Sequence, residues 1–323
     1  MLVSTRHGLR LYHNKKRFST KNFTILKIFE TSVIFNKNID FFGVSIVKSK
    51  KVLSRIIKSV CVIAAAVVVL VLYFTFNTTV DSKFTVASAT KNEFHLTAHR
   101  GLSSVAPENT APALEEAGKA GYYAAEFDIM PTKDGVWVLI HDDTVDRTMT
   151  GTGEVCEFTY AELLEMNIDE GNGIENYPGL KISTLDEALD ICEKYSMRAM
   201  IEIKGGVPDD MKSVLDILGK REMKKEPLII DFDKDRVSAL RELDKNIEIW
   251  YLVNEIEDDT IGFANNNAVG IGFNFGIPSN YFKIREAQEQ NITLGSWTVD
   301  YLPVLDILCA LGIDYITTNR ILP

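Results

Sequence analysis

The sequence predicts an α/β fold in which eight parallel strands and their crossover helices close into a (β/α)8 barrel of the TIM type. Three observations favour this fold. From Asn92 onward, short segments rich in β-branched and aromatic residues alternate with amphipathic helical segments. Eight such strand segments fall within about 230 residues, close to the typical size of this barrel. Charged residues end several of the segments, at the face where barrel enzymes place their active sites.

The strands are predicted from their composition and from the turn residues between them. The eight parallel strands comprise residues 95–100, 124–129, 199–204, 227–232, 247–252, 269–273, 293–297 and 314–318. Residues 136–142 follow the second strand after the tight turn Lys133-Asp134-Gly135, which indicates a β-hairpin. We therefore expect a distorted barrel, with an antiparallel excursion after its second strand.

Amphipathic helices are predicted between the strands. They comprise residues 111–120, 184–195, 208–218, 234–243, 279–290 and 303–311. A doubly wound open sheet is the alternative arrangement of the same elements. Only Gly101 follows the first predicted strand, so the glycine-rich phosphate loop of a dinucleotide-binding sheet is missing, which weakens that alternative.

An apolar segment precedes the predicted barrel. Residues 60–76 carry no charged side chain, and we predict a single transmembrane helix over residues 59–76. Basic residues crowd its N-terminal side, so the positive-inside rule places residues 1–58 in the cytoplasm and the barrel outside the cell membrane. A cleaved signal peptide is the alternative, but the small residues suited to cleavage, 87–89, lie far beyond the apolar run.

The remaining domain boundaries follow from composition and charge. Residues 77–92 are small and polar and are predicted to be a linker to a catalytic domain over residues 93–323. Residues 1–58 contain 13 Lys and Arg against two acids, whereas the rest of the chain contains 22 basic and 43 acidic residues. A domain this acidic is expected to repel nucleic acid. It is better suited to bind a cation, or a phosphate through a bound cation.

Acids end two of the predicted strands. Glu126 and Asp128 are two residues apart, so both carboxylates point to the same face of the second strand. Glu202 lies near the end of the strand 199–204. Three acids converging at a barrel mouth would repel one another, and burial would raise their pKa values until they became protonated. One divalent cation, Ca²⁺ or Mg²⁺, resolves this conflict, because hard cations prefer oxygen ligands.

Two histidines and two basic residues accompany these acids. His99 ends the first strand and His141 ends the hairpin strand, and imidazole can donate or accept a proton near neutral pH. Arg100 and Lys204 add positive charge that only an anionic substrate would justify, and phosphate suits both side chains best. We therefore expect metal-assisted cleavage of a phosphate ester. His95, four residues before His99, is expected to be structural.

Two other classes of protein are alternatives to this interpretation. In a barrel glycosidase, Glu126 and Glu202 could serve as acid and nucleophile. That assignment leaves both histidines and Arg100 without a role. A membrane-tethered binding module without catalysis is the second alternative, and nothing in the sequence favours it, since every candidate catalytic group is present.

Ordered motifs over residues 93–321 resemble the signature of the glycerophosphodiester phosphodiesterases. The matching motifs are His99-Arg100-Gly101, Pro107-Glu108-Asn109-Thr110, Glu126-x-Asp128, Asp134-Gly135, His141-Asp142, Asp146-Arg147-Thr148, Ser183-Thr184-Leu185-x-Glu187, Ile201-Glu202-Ile203-Lys204, Trp297-Thr298-Val299 and Gly312-Ile313-Asp314. So many motifs in the same order make chance an inadequate explanation.

The resemblance implies a distorted (β/α)8 barrel that hydrolyses glycerophosphodiesters to an alcohol and glycerol 3-phosphate. It implies three sets of site residues: an acid/base pair, His99 and His141; metal ligands, Glu126, Asp128 and Glu202; and phosphate contacts, Arg100 and Lys204. It also implies that Trp297 offers an apolar wall to the glycerol or to the leaving alcohol. The expected substrates are deacylated phospholipids, glycerophosphate polymers or, for a lysophospholipase D-type enzyme, lysophospholipids.

The chain departs from the family pattern at residues 227–232, the fifth strand when the hairpin strand is counted. There Asp231-Phe232 replaces an expected Ser-Phe. The additional acid could weaken anion binding, bind a second cation, or face away from the mouth. The sequence leaves these three possibilities open.

Overall fold

The computed structural model describes residues 94–323, and these residues form a closed barrel of eight parallel strands surrounded by helices. The predicted cytoplasmic segment, transmembrane helix and linker, residues 1–58, 59–76 and 77–92, lie outside the described residues. Within residues 94–323, no helix combines the length and the hydrophobicity needed to cross a bilayer. The predicted TIM-type barrel is confirmed.

The strands occur in the predicted order. They are His95–Ala98 (β1), Ala124–Pro131 (β2), Trp137–Leu139 (β3), Arg198–Ile203 (β4), Leu228–Asp231 (β5), Glu248–Val253 (β6), Gly270–Asn274 (β7), Leu294–Trp297 (β8) and Tyr315–Thr318 (β9). Parallel pairing runs from β1 through β2 and β4 to β9, and β9 returns to β1, which closes the barrel. The predicted hairpin is confirmed, because β3 pairs antiparallel with β2 outside this closed set.

Helices follow most of the strands. They are Ala111–Ala120 (α1), Tyr160–Glu165 (α2), Leu185–Tyr195 (α3), Met211–Leu218 (α4), Lys234–Leu243 (α5), Asp258–Asn267 (α6), Asn280–Glu289 (α7) and Leu302–Ala310 (α8). The sequence analysis missed α2 and α6. Helix α2 has only six residues, and α6 ends in three asparagines, so neither shows a clear helical period.

Alternation along the strands divides the barrel into two packed regions. On β2, Phe127 points outward and is fully buried among the helices, whereas Glu126 and Asp128 point into the barrel. On β4, Ile201 likewise packs outward and Glu202 points inward. The apolar positions thus attach the helices to the outside of the barrel, and the polar positions are delivered to its interior.

Inside the barrel, one large aromatic side chain is matched by small residues on the next two strands. Trp250 on β6 is 2% exposed. A Cβ atom at Gly270 on β7 would lie 2.4 Å from the indole ring, and one at Gly295 on β8 would lie 2.1 Å from it. Glycine is therefore required at both positions by the close approach of the ring.

The excursion, which comprises the β2–β3 hairpin and the loop that follows β3, forms a small packed unit. Its apolar side chains, which cluster apart from the main core, are Met130, Val138, Ile140, Val145, Met149, Val155, Leu163, Ile168 and Ile182. The sequence analysis did not predict this cluster. Its packing gives the loop that carries His141 a fixed base beside the barrel mouth.

The extra acid of the fifth strand faces away from the barrel interior. Asp231 is fully buried, and its two carboxylate oxygens accept hydrogen bonds from the Arg236 guanidinium on α5, both at 2.7 Å. Burial raises the pKa of Asp231, and Arg236 opposes that shift. Of the three possibilities left open by the sequence, the structure supports the third, because a paired, outward carboxylate is not positioned to bind substrate or a second cation.

Substitution of Gly295 tests the packing around Trp250. Gly295→Ala is expected to lower the free energy of unfolding by about 1–3 kcal/mol, because the added methyl group overpacks the barrel interior. Gly262→Ala is the matched control: it lies inside α6 with nothing within 4 Å of the added Cβ, so it should raise stability by up to about 1 kcal/mol. Urea denaturation measures both, and equal stability of the two variants would contradict the packing argument.

Candidate active site

A tight turn after β1 brings the first two motif residues to the barrel mouth. Arg100 and Gly101 both have left-handed backbone conformations, with φ angles of 55° and 74°. A Cβ atom at position 101 would lie 2.6 Å from the Ala113 backbone carbon on α1, so only glycine fits. The turn lets the Arg100 backbone N–H donate to Glu126 Oε2 at 2.7 Å. The end of β1 is thus fixed to the acid of the neighbouring strand.

Glu126, Asp128 and Glu202 converge inside this mouth. One carboxylate oxygen of each lies within 4.8 Å of the other two, and the three residues are buried, with exposed fractions of 2%, 1% and 8%. Burial and the two neighbouring acids raise the pKa of Glu126 well above its usual value. Burial, followed by the charge of Asp128, raises the pKa of Glu202 to about 7.

Two basic side chains partly offset this negative charge. The Lys204 ammonium lies 2.8 Å from Glu202 Oε1 and 3.8 Å from Asp128 Oδ1. Arg100 Nε lies 3.4 Å from Asp128 Oδ2. Lys204 and Arg100 also line the cavity of the mouth, so both are placed between the acids and any bound anion.

The donor set fits a hard divalent cation. Glu126 Oε1 and Asp128 Oδ1 are buried without a hydrogen-bond partner, although such atoms are normally paired. The other Asp128 oxygen, Oδ2, is oriented by Asn109, whose amide donates to it at 2.8 Å while the Asn109 carbonyl accepts from the Asp128 backbone at 3.0 Å. Two unpaired oxygens on oriented carboxylates are suited to coordinate an oxygen-seeking ion.

His99 lies beside the three acids, and a hydrogen bond to one nitrogen of its ring positions it. Its Nδ1 atom is 2.8 Å from Asn319 Oδ1. Burial lowers the pKa of His99, and the charge of Arg100 lowers it further, so the neutral imidazole is favoured.

His141 reaches the same cavity from the excursion and has a different partner. Its Nδ1 atom lies 2.6 Å from Asp142 Oδ1, and Arg147 Nε donates to the other Asp142 oxygen at 2.5 Å. Arg147 lowers the pKa of Asp142 to about 2. Arg147 also donates to Glu108 at 2.7 Å, and Glu108 accepts from Arg100 at 2.9 Å. A continuous set of ion pairs thus links the two histidine-bearing segments.

The predicted residues surround one cavity of about 240 Å³, called here the mouth cavity. Its ionisable lining residues are His99, Arg100, Glu126, His141, Glu202 and Lys204. Its apolar lining includes Trp297 and Phe232, whose rings meet edge to face at 5.6 Å. Trp297 Nε1 is buried without a hydrogen-bond partner.

All eight residues predicted for the site therefore lie together, with Asp128 directly behind the cavity wall in contact with Arg100 and Lys204. His95 lies apart from them at the start of β1, where it stacks on Tyr123; its predicted structural role agrees with this placement.

The sequence analysis assigned no role to several residues that hold the site together. Asn109, Glu108, Asp142 and Arg147 occur in the motifs, which was the available signal for them. Asn319 carried no signal, because its contact with His99 spans 220 residues of sequence.

Comparison with known proteins agrees with this geometry. Residues 99–322 match the model of the Glycerophosphoryl diester phosphodiesterase family. Glycerophosphodiester phosphodiesterase 1 of Mus musculus is 34% identical over 146 residues, which is 45% of this chain and 44% of that protein. The chain therefore spans a little under half the length of that relative. A glycerophosphodiester phosphodiesterase of Bacillus subtilis is 28% identical over 244 residues, which is 69% of this chain and 82% of that protein.

The fold is also similar to that of solved structures. A phosphodiesterase of Oleispira antarctica, in complex with the product sn-glycerol-3-phosphate, superimposes with a TM-score of 0.67 and 23% identity, covering 70% of this chain and 93% of that one. A glycerophosphodiester phosphodiesterase of Thermotoga maritima gives a TM-score of 0.59 and 23% identity, covering 72% and 96%. These likenesses support the barrel fold. The family match over residues 99–322, more than half of the chain, shows that this chain belongs to the glycerophosphoryl diester phosphodiesterase family.

Proposed function

We propose that the protein is a metal-dependent phosphodiesterase that hydrolyses glycerophosphodiesters to an alcohol and glycerol 3-phosphate. The observation that carries this proposal is the meeting of three buried carboxylates and two imidazoles at one cavity with Arg100 and Lys204. Membership of the family supports the same reaction. The glycosidase alternative is not retained, because it assigns no role to the histidines or to the two basic side chains.

Glu126, Asp128 and Glu202 would hold one divalent cation, Ca²⁺ or Mg²⁺. Such an ion supplies Lewis-acid polarisation of a phosphoryl oxygen and offsets the charge of the three acids. Binding of the ion requires all three carboxylates to be ionised, so it must displace the proton that burial favours on Glu126 and Glu202.

Arg100 and Lys204 would bind the phosphate of the substrate. The Arg100 guanidinium is oriented by Glu108 at 2.9 Å, which fixes the plane of its donors. Planar guanidinium groups recognise phosphate through paired N–H donors, and the ammonium of Lys204 adds a compact charge. Both side chains lie within the polar lining of the mouth cavity.

The two histidines would move protons in opposite directions. In the first step, His99 accepts the proton of the neighbouring glycerol hydroxyl as its oxygen attacks phosphorus, and His141 donates a proton to the departing alcohol oxygen. A cyclic phosphodiester results, and water then opens it to glycerol 3-phosphate with the two proton transfers reversed. Burial supports the assignment of His99 as the base, because it lowers the pKa of His99 and favours the neutral imidazole.

A lysophospholipase D-type activity is the second candidate. The apolar side of the mouth cavity favours it, because Phe232 is 40% exposed beside Trp297 and could contact an acyl chain. A substrate panel of glycerophosphocholine, glycerophosphoethanolamine, a lysolipid and a glycerophosphate polymer would separate the two candidates.

Variants of Glu126 and His141 test the division between metal binding and proton transfer. Glu126→Gln should weaken cation binding and turnover together, because it removes a ligand charge. His141→Ala should lower kcat by about 10²–10⁴-fold while cation affinity stays unchanged. Isothermal titration with Ca²⁺ or Mg²⁺ and steady-state kinetics with and without chelator measure both effects.

The surface variant Glu289→Gln is the control for that comparison and should behave as wild type. Loss of cation binding in His141→Ala, or full activity of the chelator-treated protein, would contradict the proposed mechanism.

The pH dependence of cation stabilisation tests the ligand set. In the folded protein without cation, the pKa of Glu202 is raised from 4.5 to about 7. The stability that this protonated carboxyl contributes is therefore fully present below about pH 4.5 and is lost as the pH rises through about 7. Cation binding releases this proton, and below about pH 7 its affinity should fall by up to about tenfold per pH unit for each proton released.

Thermal unfolding should therefore show a larger cation-induced rise in Tm at about pH 8 than at about pH 5. Glu202→Gln should abolish most of the cation effect at both pH values, whereas Glu289→Gln should preserve it. A cation effect in Glu202→Gln as large as in wild type would rule out Glu202 as a ligand.

We also propose that residues 59–76 anchor the protein in the cell membrane, with the barrel on the extracytoplasmic side. The charge-free run 60–76 and the basic residues before it support this proposal. Deleting residues 1–80 should release the protein into the soluble fraction, preserve turnover of water-soluble glycerophosphocholine and lower turnover of a lysolipid presented in vesicles. Unchanged turnover of the vesicle-bound lysolipid would mean that the anchor does not govern substrate choice.

A further inference from the structure

The partner of His99 belongs to a short polar network at the end of β9. Strands β1 and β9 pair in parallel, with Ala98 opposite Thr318. His99 and Asn319 therefore follow their strands side by side, and His99 Nδ1 lies 2.8 Å from Asn319 Oδ1. The Ser103 hydroxyl donates to the same amide oxygen at 3.1 Å.

Asp300 determines which way the Asn319 amide points. Its Oδ2 atom accepts a hydrogen bond from Asn319 Nδ2 at 2.7 Å. Its Oδ1 atom accepts from the Asn319 backbone N–H at 2.8 Å and from the Thr318 hydroxyl at 2.9 Å. An ionised carboxylate can only accept hydrogen bonds, so the amino group of Asn319 must face Asp300. The amide oxygen is thereby directed to His99.

This orientation fixes the tautomer of His99. An amide oxygen can only accept a hydrogen bond, so Nδ1 must carry the proton, and in the neutral ring Nε2 is then unprotonated. We propose that Asn319 and Asp300 are positioning residues that hold His99 in the tautomer whose free Nε2 accepts the proton from the attacking hydroxyl. This inference rests on the reaction proposed above, and it adds the structural reason for the assignment of His99 as base.

The hydrogen-bond partner of His99 is neutral, unlike that of His141. At His141 the corresponding partner is the Asp142 carboxylate, which places a full negative charge against Nδ1. The amide of Asn319 orients the ring without placing a full charge on it, and burial and Arg100 keep the pKa of His99 below its usual value. The charge of Asp300 orients the Asn319 amide, and that amide separates the charge from the His99 ring.

The variant Asp300→Asn tests the inference. The remaining oxygen of residue 300 should keep its bonds to the Asn319 backbone and the Thr318 hydroxyl, so the new amino group would face the Asn319 amino group. The Asn319 amide is then expected to turn and donate to His99, which moves the ring proton to Nε2. We expect kcat to fall by about 10²-fold or more, with little change in KM, because the base is lost while substrate binding is kept.

The double variant Asp300→Asn, Asn319→Asp is the rescue. Its carboxylate at position 319 can accept from both the new amide and His99 Nδ1, which restores the original tautomer. Nitrogen-15 NMR of the histidine side chains reads the tautomer directly, with the His99 signals identified by their loss in His99→Gln. Asp314→Asn is the matched control at the other end of β9, since the Asp314 side chain accepts from the Leu294 backbone at 3.0 Å, away from His99; it should retain both tautomer and activity.

The outcomes separate this inference from the proposed function. An Nδ1-protonated His99 in Asp300→Asn, whatever its activity, overturns the positioning role. If Asp300→Asn does not fold, Asn319→Ala replaces it. A His99 that stays only Nδ1-protonated in Asn319→Ala likewise overturns the positioning role. If wild-type protein cleaves no phosphodiester, the proposed function fails, but the NMR comparison still decides whether Asn319 and Asp300 set the tautomer.

Discussion

The structure of the site depends on the mutual repulsion of three carboxylates buried at one end of a barrel. One carboxylate oxygen each of Glu126, Asp128 and Glu202 lies within 4.8 Å of the other two. The ionised form of each carboxylate would be more stable in water than in this buried position. The surrounding residues supply partial compensation through the Arg100 backbone N–H, the Asn109 amide and the Lys204 ammonium. Two carboxylate oxygens nevertheless stay unpaired. An arrangement this costly is typical of a functional site, because a core built only for stability would not retain it.

The two histidines at the mouth cavity are distinguished by what holds them. His99 is backed by a neutral amide whose orientation is set at a distance by Asp300, whereas His141 is backed directly by Asp142. The two imidazoles therefore have different surroundings, one neutral and one charged, although the side chains are chemically identical. The ion pairs from Asp142 through Arg147 and Glu108 to Arg100 connect the packed excursion to the end of β1, so the two imidazoles are held relative to each other by charged contacts.

The barrel provides this site with two kinds of lining. Its charged lining comes from β2, β4 and the ends of β1 and β4, and His141 is added from the loop after β3. The apolar lining comes largely from later strands, with Trp250 inside the barrel and Trp297 beside Phe232 at the mouth. A phosphate diester has the same division, an anionic centre flanked by less polar groups. Glycines opposite Trp250 leave room for the large aromatic ring without widening the barrel.

The local pattern of the sequence determined the barrel, the hairpin and the direction of the three acidic side chains. In β2 and β4, polar residues alternate with apolar ones, and the two-residue period of a strand then places Glu126, Asp128 and Glu202 on one face. Only the tertiary structure decided the direction of Asp231, because the other residues of β5 are all apolar and reveal no inward face. Tertiary structure alone also joined His99 to Asn319 across 220 residues. Closure of the barrel, in which the last strand pairs with the first, creates that contact, and no local periodicity encodes it.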